Sequence, residues 1–141
     1  MNTLRPCVLL ATFVVASLLG AGNTQAECIR IRRSLSELVA VTPLVFVADV
    51  LKVETVILDP EPFAYRVRFR VREAFKGTSV GEQVFEFGAT TEDVVFQEGQ
   101  RVLVYAHRND RGKFSTQCSA TRGVMPDDPE VAELRRLSDT K

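Results

Sequence analysis

Between Phe63 and Phe75 the chain alternates with a period of two. Tyr65, Val67, Phe69 and Val71 fall on one face, and Arg66, Arg68, Arg70 and Arg72 on the other. Only an extended chain separates these residues into an apolar and a charged side; a helix would scatter them around its axis. The segment therefore calls for an antiparallel sheet with one face against a core and the other in water.

The flanking segments read the same way. Leu44 to Ile57 is rich in β-branched residues and too long for one flat strand, which suits a bent one. Asp59-Pro60-Glu61-Pro62 is a turn, and Lys76-Gly77-Thr78 is another. Gln83, Phe85 and Phe87 alternate with Glu82, Val84 and Glu86 in a third strand. A longer connection from Gly88 to Gln100 leads to a fourth strand, Arg101 to Arg108. Asn109-Asp110-Arg111-Gly112 makes a hairpin turn into an expected fifth strand, Lys113 to Ser119. Ser34 and Glu37 have capping-box spacing ahead of Leu35, Leu38 and Val39, which predicts a short helix over 34–41 ended by Pro43. Pro126 to Pro129 breaks the chain, and Val131, Leu134 and Leu137 space a short C-terminal helix. Five strands with little helix predict an all-β domain, a small closed barrel or a sandwich. A length of 141 residues suits one such domain.

The first residues have a different character. Arg5 precedes an apolar run from Val8 to Leu19, and Gly20 to Ala26 is small and polar. This is the pattern of a secretory signal cut after Ala26, which leaves 27–141 as the mature domain. The run is too short for a membrane-spanning helix, which needs about 20 apolar residues. A glutamate directly before Cys28 does not suit lipoprotein processing. The expected location is outside the cell or in the periplasm. Removal of Arg5 leaves 17 basic side chains against 18 acidic ones, so a generally basic nucleic-acid binder is disfavoured. Two of the three cysteines remain, Cys28 and Cys118. In an oxidising compartment they allow one intramolecular bridge, with free thiols or an intermolecular bridge as the alternatives.

Several of these pieces together resemble the netrin-like domain, the fold of the tissue inhibitors of metalloproteinases, in a small bacterial form. They are Cys28 at the mature start, the strand Leu44-Val45-Phe46-Val47-Ala48-Asp49-Val50, and Val71-Arg72-Glu73-Ala74-Phe75-Lys76-Gly77. Phe96-Gln97-Glu98-Gly99-Gln100-Arg101-Val102-Leu103-Val104-Tyr105-Ala106 follows, and then Phe114-Ser115-Thr116-Gln117-Cys118-Ser119-Ala120-Thr121-Arg122. The resemblance covers nearly all of the mature chain. It implies a five-stranded Greek-key barrel of the OB type with a helix packed on it. Further cysteines usual in such domains are missing here, where the chain reads Ile29-Arg30 and Glu92-Asp93-Val94-Val95. Both halves of a second bridge are thus absent together, and the resemblance implies that the long-loop bridge Cys28–Cys118 is the one kept. It also implies inhibition of a zinc protease, in which a first-residue cysteine chelates the metal through its α-amine and carbonyl oxygen. The expected cut puts Glu27 ahead of Cys28, which would convert that amine to an amide.

The other candidates are sparse. The Arg66, Arg68, Arg70 and Arg72 row could bind an anionic polymer or an envelope surface. Alternatively it is a solvated face paired with Glu82 and Glu86 on the next strand. Tyr65, Phe69, Phe85 and Phe87 alternate to the opposite face, away from where nucleic-acid bases would stack. His107 ends a strand with no nucleophile motif placed beside it. One His and two cysteines do not make a zinc site, and no dinucleotide or phosphate-loop motif suggests a cofactor. The reading is a secreted or periplasmic, non-enzymatic binding module whose partner is a protein.

Overall fold

The computed structural model describes residues 33–56, 64–88 and 95–140. The expected signal segment, Cys28 and the Asp59–Pro62 turn lie outside the described residues. Eight elements follow one another: α1 (Leu35–Val41), β1 (Leu44–Val56), β2 (Ala64–Lys76), β3 (Gly81–Gly88), β4 (Arg101–Arg108), β5 (Phe114–Ser115), β6 (Arg122–Gly123) and α2 (Pro129–Asp139). The hydrogen-bonded order is β1-β2-β3-β5-β4-β6, and β1 also pairs with β4. That extra pairing closes β1 to β5 into a mixed barrel of OB type, in which the β3–β5 contact is parallel and the other barrel ladders are antiparallel.

The long apolar run of β1 is explained by two-sided burial. Leu44, Phe46, Ala48 and Val50 point into the barrel, whereas Val45 and Val47 point outward under the helices. On β4, Val102, Val104 and Ala106 point in, and Leu103 and Tyr105 point out. The outer cluster is capped by Val131 and Leu134 of α2 and by Leu35, Leu38 and Val39 of α1. β1 serves two ladders because it bends: its register against β2 shifts between Val45/Phe46, Val47/Ala48 and Val50/Lys52. Its first half lies against β4, while pairing with β2 runs from Val45 to Val56. The inside of the barrel is built on aromatic rings. Phe69 meets Phe46 at 5.2 Å and Phe96 at 5.3 Å, both edge-to-face. Phe96 comes from the connection before β4, which is tied to β1 by Val50 N–H to the Gln100 carbonyl at 2.9 Å.

The helix ends match their sequence signals. The Ser34 hydroxyl accepts from the Glu37 N–H, and the Glu37 carboxylate accepts from the Ser34 N–H, a complete capping box. Lys76 reaches back from β2 to the Val39 and Ala40 carbonyls at the end of α1, both at 2.8 Å. Gly77 beside it has φ +77°, and a Cβ there would lie 2.3 Å from the Pro43 carbonyl oxygen. No residue with a side chain fits that turn unstrained.

One expectation needs correction. The fifth strand does not run from Lys113 to Ser119; it is confined to Phe114–Ser115. The chain then turns, with Ser119 N–H bonded to the Thr116 carbonyl and Cys118 at φ +55°, a left-handed conformation that ends a strand. It rejoins the sheet as β6, beside β4. At the C-terminal helix Pro129 does not lie in the break before the helix but is its first residue, where its missing N–H costs nothing.

Candidate functional site

The two helices cover one side of the barrel. The other side, formed by β2, β3 and the second half of β1, presents the arginine row to solvent. Arg66, Arg70 and Arg72 have side chains 47%, 49% and 48% exposed, while Val67, Phe69 and Val71 between them are buried. The packed apolar face fixes the strand, so the guanidinium groups start from a rigid base.

Register decides which arginines find acids. Arg66 lies opposite Glu86, and Arg70 opposite Glu82. They bond at 2.9 Å and 3.3 Å. Lys113 also contacts Glu86. Lys113 and Arg66 together hold the Glu86 carboxyl below the usual range. Arg72 and Arg101 share Asp49, each with an Nε–carboxylate contact of 2.7 Å. Asp49 is held low, first by Arg101 and then by Arg72, against the opposing effect of its partial burial. Pairing of the row with Glu82 and Glu86 is thus found for Arg70 and Arg66.

Arg68 is different. Its neighbours in the sheet are Lys52 on β1 and Val84 on β3. Lys52 is itself engaged with Glu54 at 2.7 Å. Among the described residues Arg68 makes no ion pair. Across this face the cations Lys52, Arg66, Arg68, Arg70 and Arg72 outnumber the acids Asp49, Glu54, Glu82 and Glu86. A hollow at one end of the row, lined by Asp49, Arg72, Glu73, Arg101 and Arg135, continues the charged surface towards α2. There Arg135 grips Glu73 with two bonds of 2.6 and 2.7 Å.

The segment 114–122 forms a clasp with β4 and the start of α2. The Thr121 hydroxyl accepts from the Tyr105 N–H and donates to the Tyr105 carbonyl, both at 2.9 Å, and so stands in for a strand neighbour of β4. Ser119 Oγ donates to it at 2.8 Å. Arg122 forks onto Asp128 at 2.6 and 2.8 Å and reaches Glu130 at 3.2 Å. Tyr105 donates its hydroxyl to Glu130 at 2.6 Å. Burial, reinforced by Glu130, pushes the Tyr105 phenol well above its ordinary value. Asp128 also caps α2 through the Glu130 and Val131 N–H groups. Its carboxyl is held far below the usual range, chiefly by Arg122.

Asp128 makes this clasp pH-sensitive. A carboxyl held low in the folded state adds stability above its unfolded pKa of about 3.9 and loses it as pH falls towards the folded value. Asparagine keeps the cap but not the charge. Asp128→Asn should therefore cost about 1–2 kcal/mol at pH 7, a range reduced because Arg122 is 38% exposed. The gap to wild type should shrink below pH 4, as read from urea midpoints across pH. A gap that widened in acid would contradict the assignment.

Cys118 is exposed and disulfide-bonded. Cys28, its expected partner, lies outside the described residues. His107 is exposed on β4 opposite Ser115 and lines a hollow with Arg33, Tyr105 and Cys118. The structure does not bring the arginine row and His107 together into one site. Asp49, Arg101 and the Lys52–Arg68–Val84 rung were not singled out by sequence reasoning. The rung had a signal, because Glu-x-Val-x-Glu set against alternating arginines leaves the middle arginine facing a valine. No protein-family model and no curated protein matches this chain.

Proposed function

We propose that the chain is an exported, non-enzymatic binding module that engages a protein partner through the outer face of β2 and β3. The observation that carries this reading is the exposed arginine row on a packed strand, in which Arg68 makes no ion pair among the described residues. OB barrels use the corresponding sheet face to hold oligonucleotides and oligosaccharides, which shows that such a face can seat an extended chain. Charges fixed on such a face steer and select a complementary partner. The netrin-like resemblance adds the same general role. Its narrower version, zinc-protease inhibition, requires a chain that begins at Cys28 with a free α-amine.

An exported extract passed over the immobilised wild-type chain and over an R68E/R70E chain tests the reading. The wild-type surface should retain discrete proteins that the charge-reversed surface loses. Identical retention by both would contradict it. The excess of cations favours a second reading, an anionic polymer or envelope surface as ligand. In that case the chain should be held on a heparin matrix, released by salt, and lost with R68Q/R70Q.

A further inference from the structure

β3 has an open edge. On one side it pairs with β2 over its whole length, from Ala64↔Gly88 to Val71↔Gly81. On the other side its partner β5 meets it at one position, Phe87↔Phe114. β5 runs parallel to β3, so the chain beside Glu86 is the stretch before Phe114, which, traced backward, leaves this edge after Lys113 and turns through Asn109–Gly112 back to β4. Among the described residues, Gly81 to Glu86 therefore have no strand against this edge. Unpaired N–H and carbonyl groups along a strand are a template for another strand.

The side chains along the edge suit a guest. Val84 and Val80 are exposed, at 52% and 66%. Phe85 points inward and is only partly buried, stacked on Phe46 at 5.5 Å and met edge-on by Phe114 at 5.5 Å. An apolar side chain on an added strand would cover what Phe85 leaves open. On the outer face the guest residue opposite Val84 would continue the rung Lys52–Arg68–Val84. That residue lies two strand spacings, about 10 Å, from Arg68. The short valine between them leaves the unpaired guanidinium a clear path to a carboxylate. The flanking Glu82 and Glu86 are already neutralised by Arg70, Arg66 and Lys113.

We infer that the β3 edge accepts an extended segment of a partner protein as an added strand, with an acidic residue of that segment opposite Val84 paired to Arg68. The inference rests on the protein-binding reading and names its partner's form. A second copy of this chain is a poorer occupant. Antiparallel self-pairing about Val84 would set Glu82 of one copy against Glu86 of the other, like charges directly opposite.

The test uses the full exported chain and a capped nine-residue peptide of alternating threonine and valine with one central outward aspartate. Amide hydrogen exchange across β3 is the readout. The peptide should slow exchange at residues 82–86. Replacing its aspartate by asparagine, or Arg68 by Gln, should weaken binding about threefold, the effect of one exposed ion pair. N-methylation of the peptide's bonding edge should abolish binding. No slowing at β3, or slowing that appears without peptide as protein concentration rises, would overturn the inference. Loss of retention on the R68E/R70E surface needs only the charged face and no backbone pairing, so edge docking can fail while the face reading stands.

Discussion

Phe69→Ala should lower the stability of the domain by about 3–5 kcal/mol, the cost of deleting a buried phenylalanine and leaving a cavity. Phe69 has no exposed surface. Its ring lies 5.2 Å from Phe46, 5.3 Å from Phe96, 6.1 Å from Phe87 and 6.2 Å from Phe85. Those four rings come from β1, the connection before β4, and β3. Removing the central one strips contacts from most of the barrel wall at once, and rigid strands cannot collapse into the gap. In a domain of this size the loss should appear as a fall in Tm of about 15 °C. It should also disturb the outer face, because Phe69 sits between Arg68 and Arg70 on the same strand. A drop below about 1 kcal/mol would mean that the rings do not form a common core.

Loss of the Cys118 bridge should be of similar size but different origin. A bridge from Cys28 to Cys118 closes a long loop, and the chain-entropy account gives about 4.6 kcal/mol as an upper figure. Cys118→Ser, Cys28→Ser and the double variant should all lower the urea midpoint equally, and reduction of the wild type should reproduce them. Intact mass under non-reducing conditions should be two protons below the dithiol. A Cys28→Ser chain as stable as wild type would show that Cys118 has another partner. N-terminal sequencing of the same exported sample bears on the inhibitor version of the function: a chain starting at Glu27 excludes chelation by Cys28, and one starting at Cys28 restores it.

Much of the barrel could be read from periodicity, because burial acts directly on it. The alternation around Arg66 to Arg72 survives in the burial of Val67, Phe69 and Val71. Ser34 and Glu37 announce α1 through a local bond pattern that needs no tertiary context. Residue pattern alone overextends the fifth strand, because its end is not set by hydrophobicity. It is set by a left-handed Cys118 and by the hydroxyls of Ser119 and Thr121, which replace ladder bonds with side-chain bonds. β6 has two residues and no periodicity to detect. The candidate face was half legible. The row itself is visible in the sequence, but which arginine faces an acid on β3 depends on register, which sets Arg66 against Glu86 and Arg68 against Val84. A slip of two residues would have left a different arginine unpaired.

Partners should meet this protein on the outer β2–β3 face. A photo-cross-linking side chain placed in turn at positions 68, 84, 111 and 133 tests this in the producing cell. Positions 68 and 84 lie on the face, 111 lies in the β4–β5 turn, and 133 lies half-buried on α2. Discrete protein adducts are expected at 68 and 84 and none at 111 or 133. Adducts confined to 111 or 133, or spread evenly over all four, would contradict it.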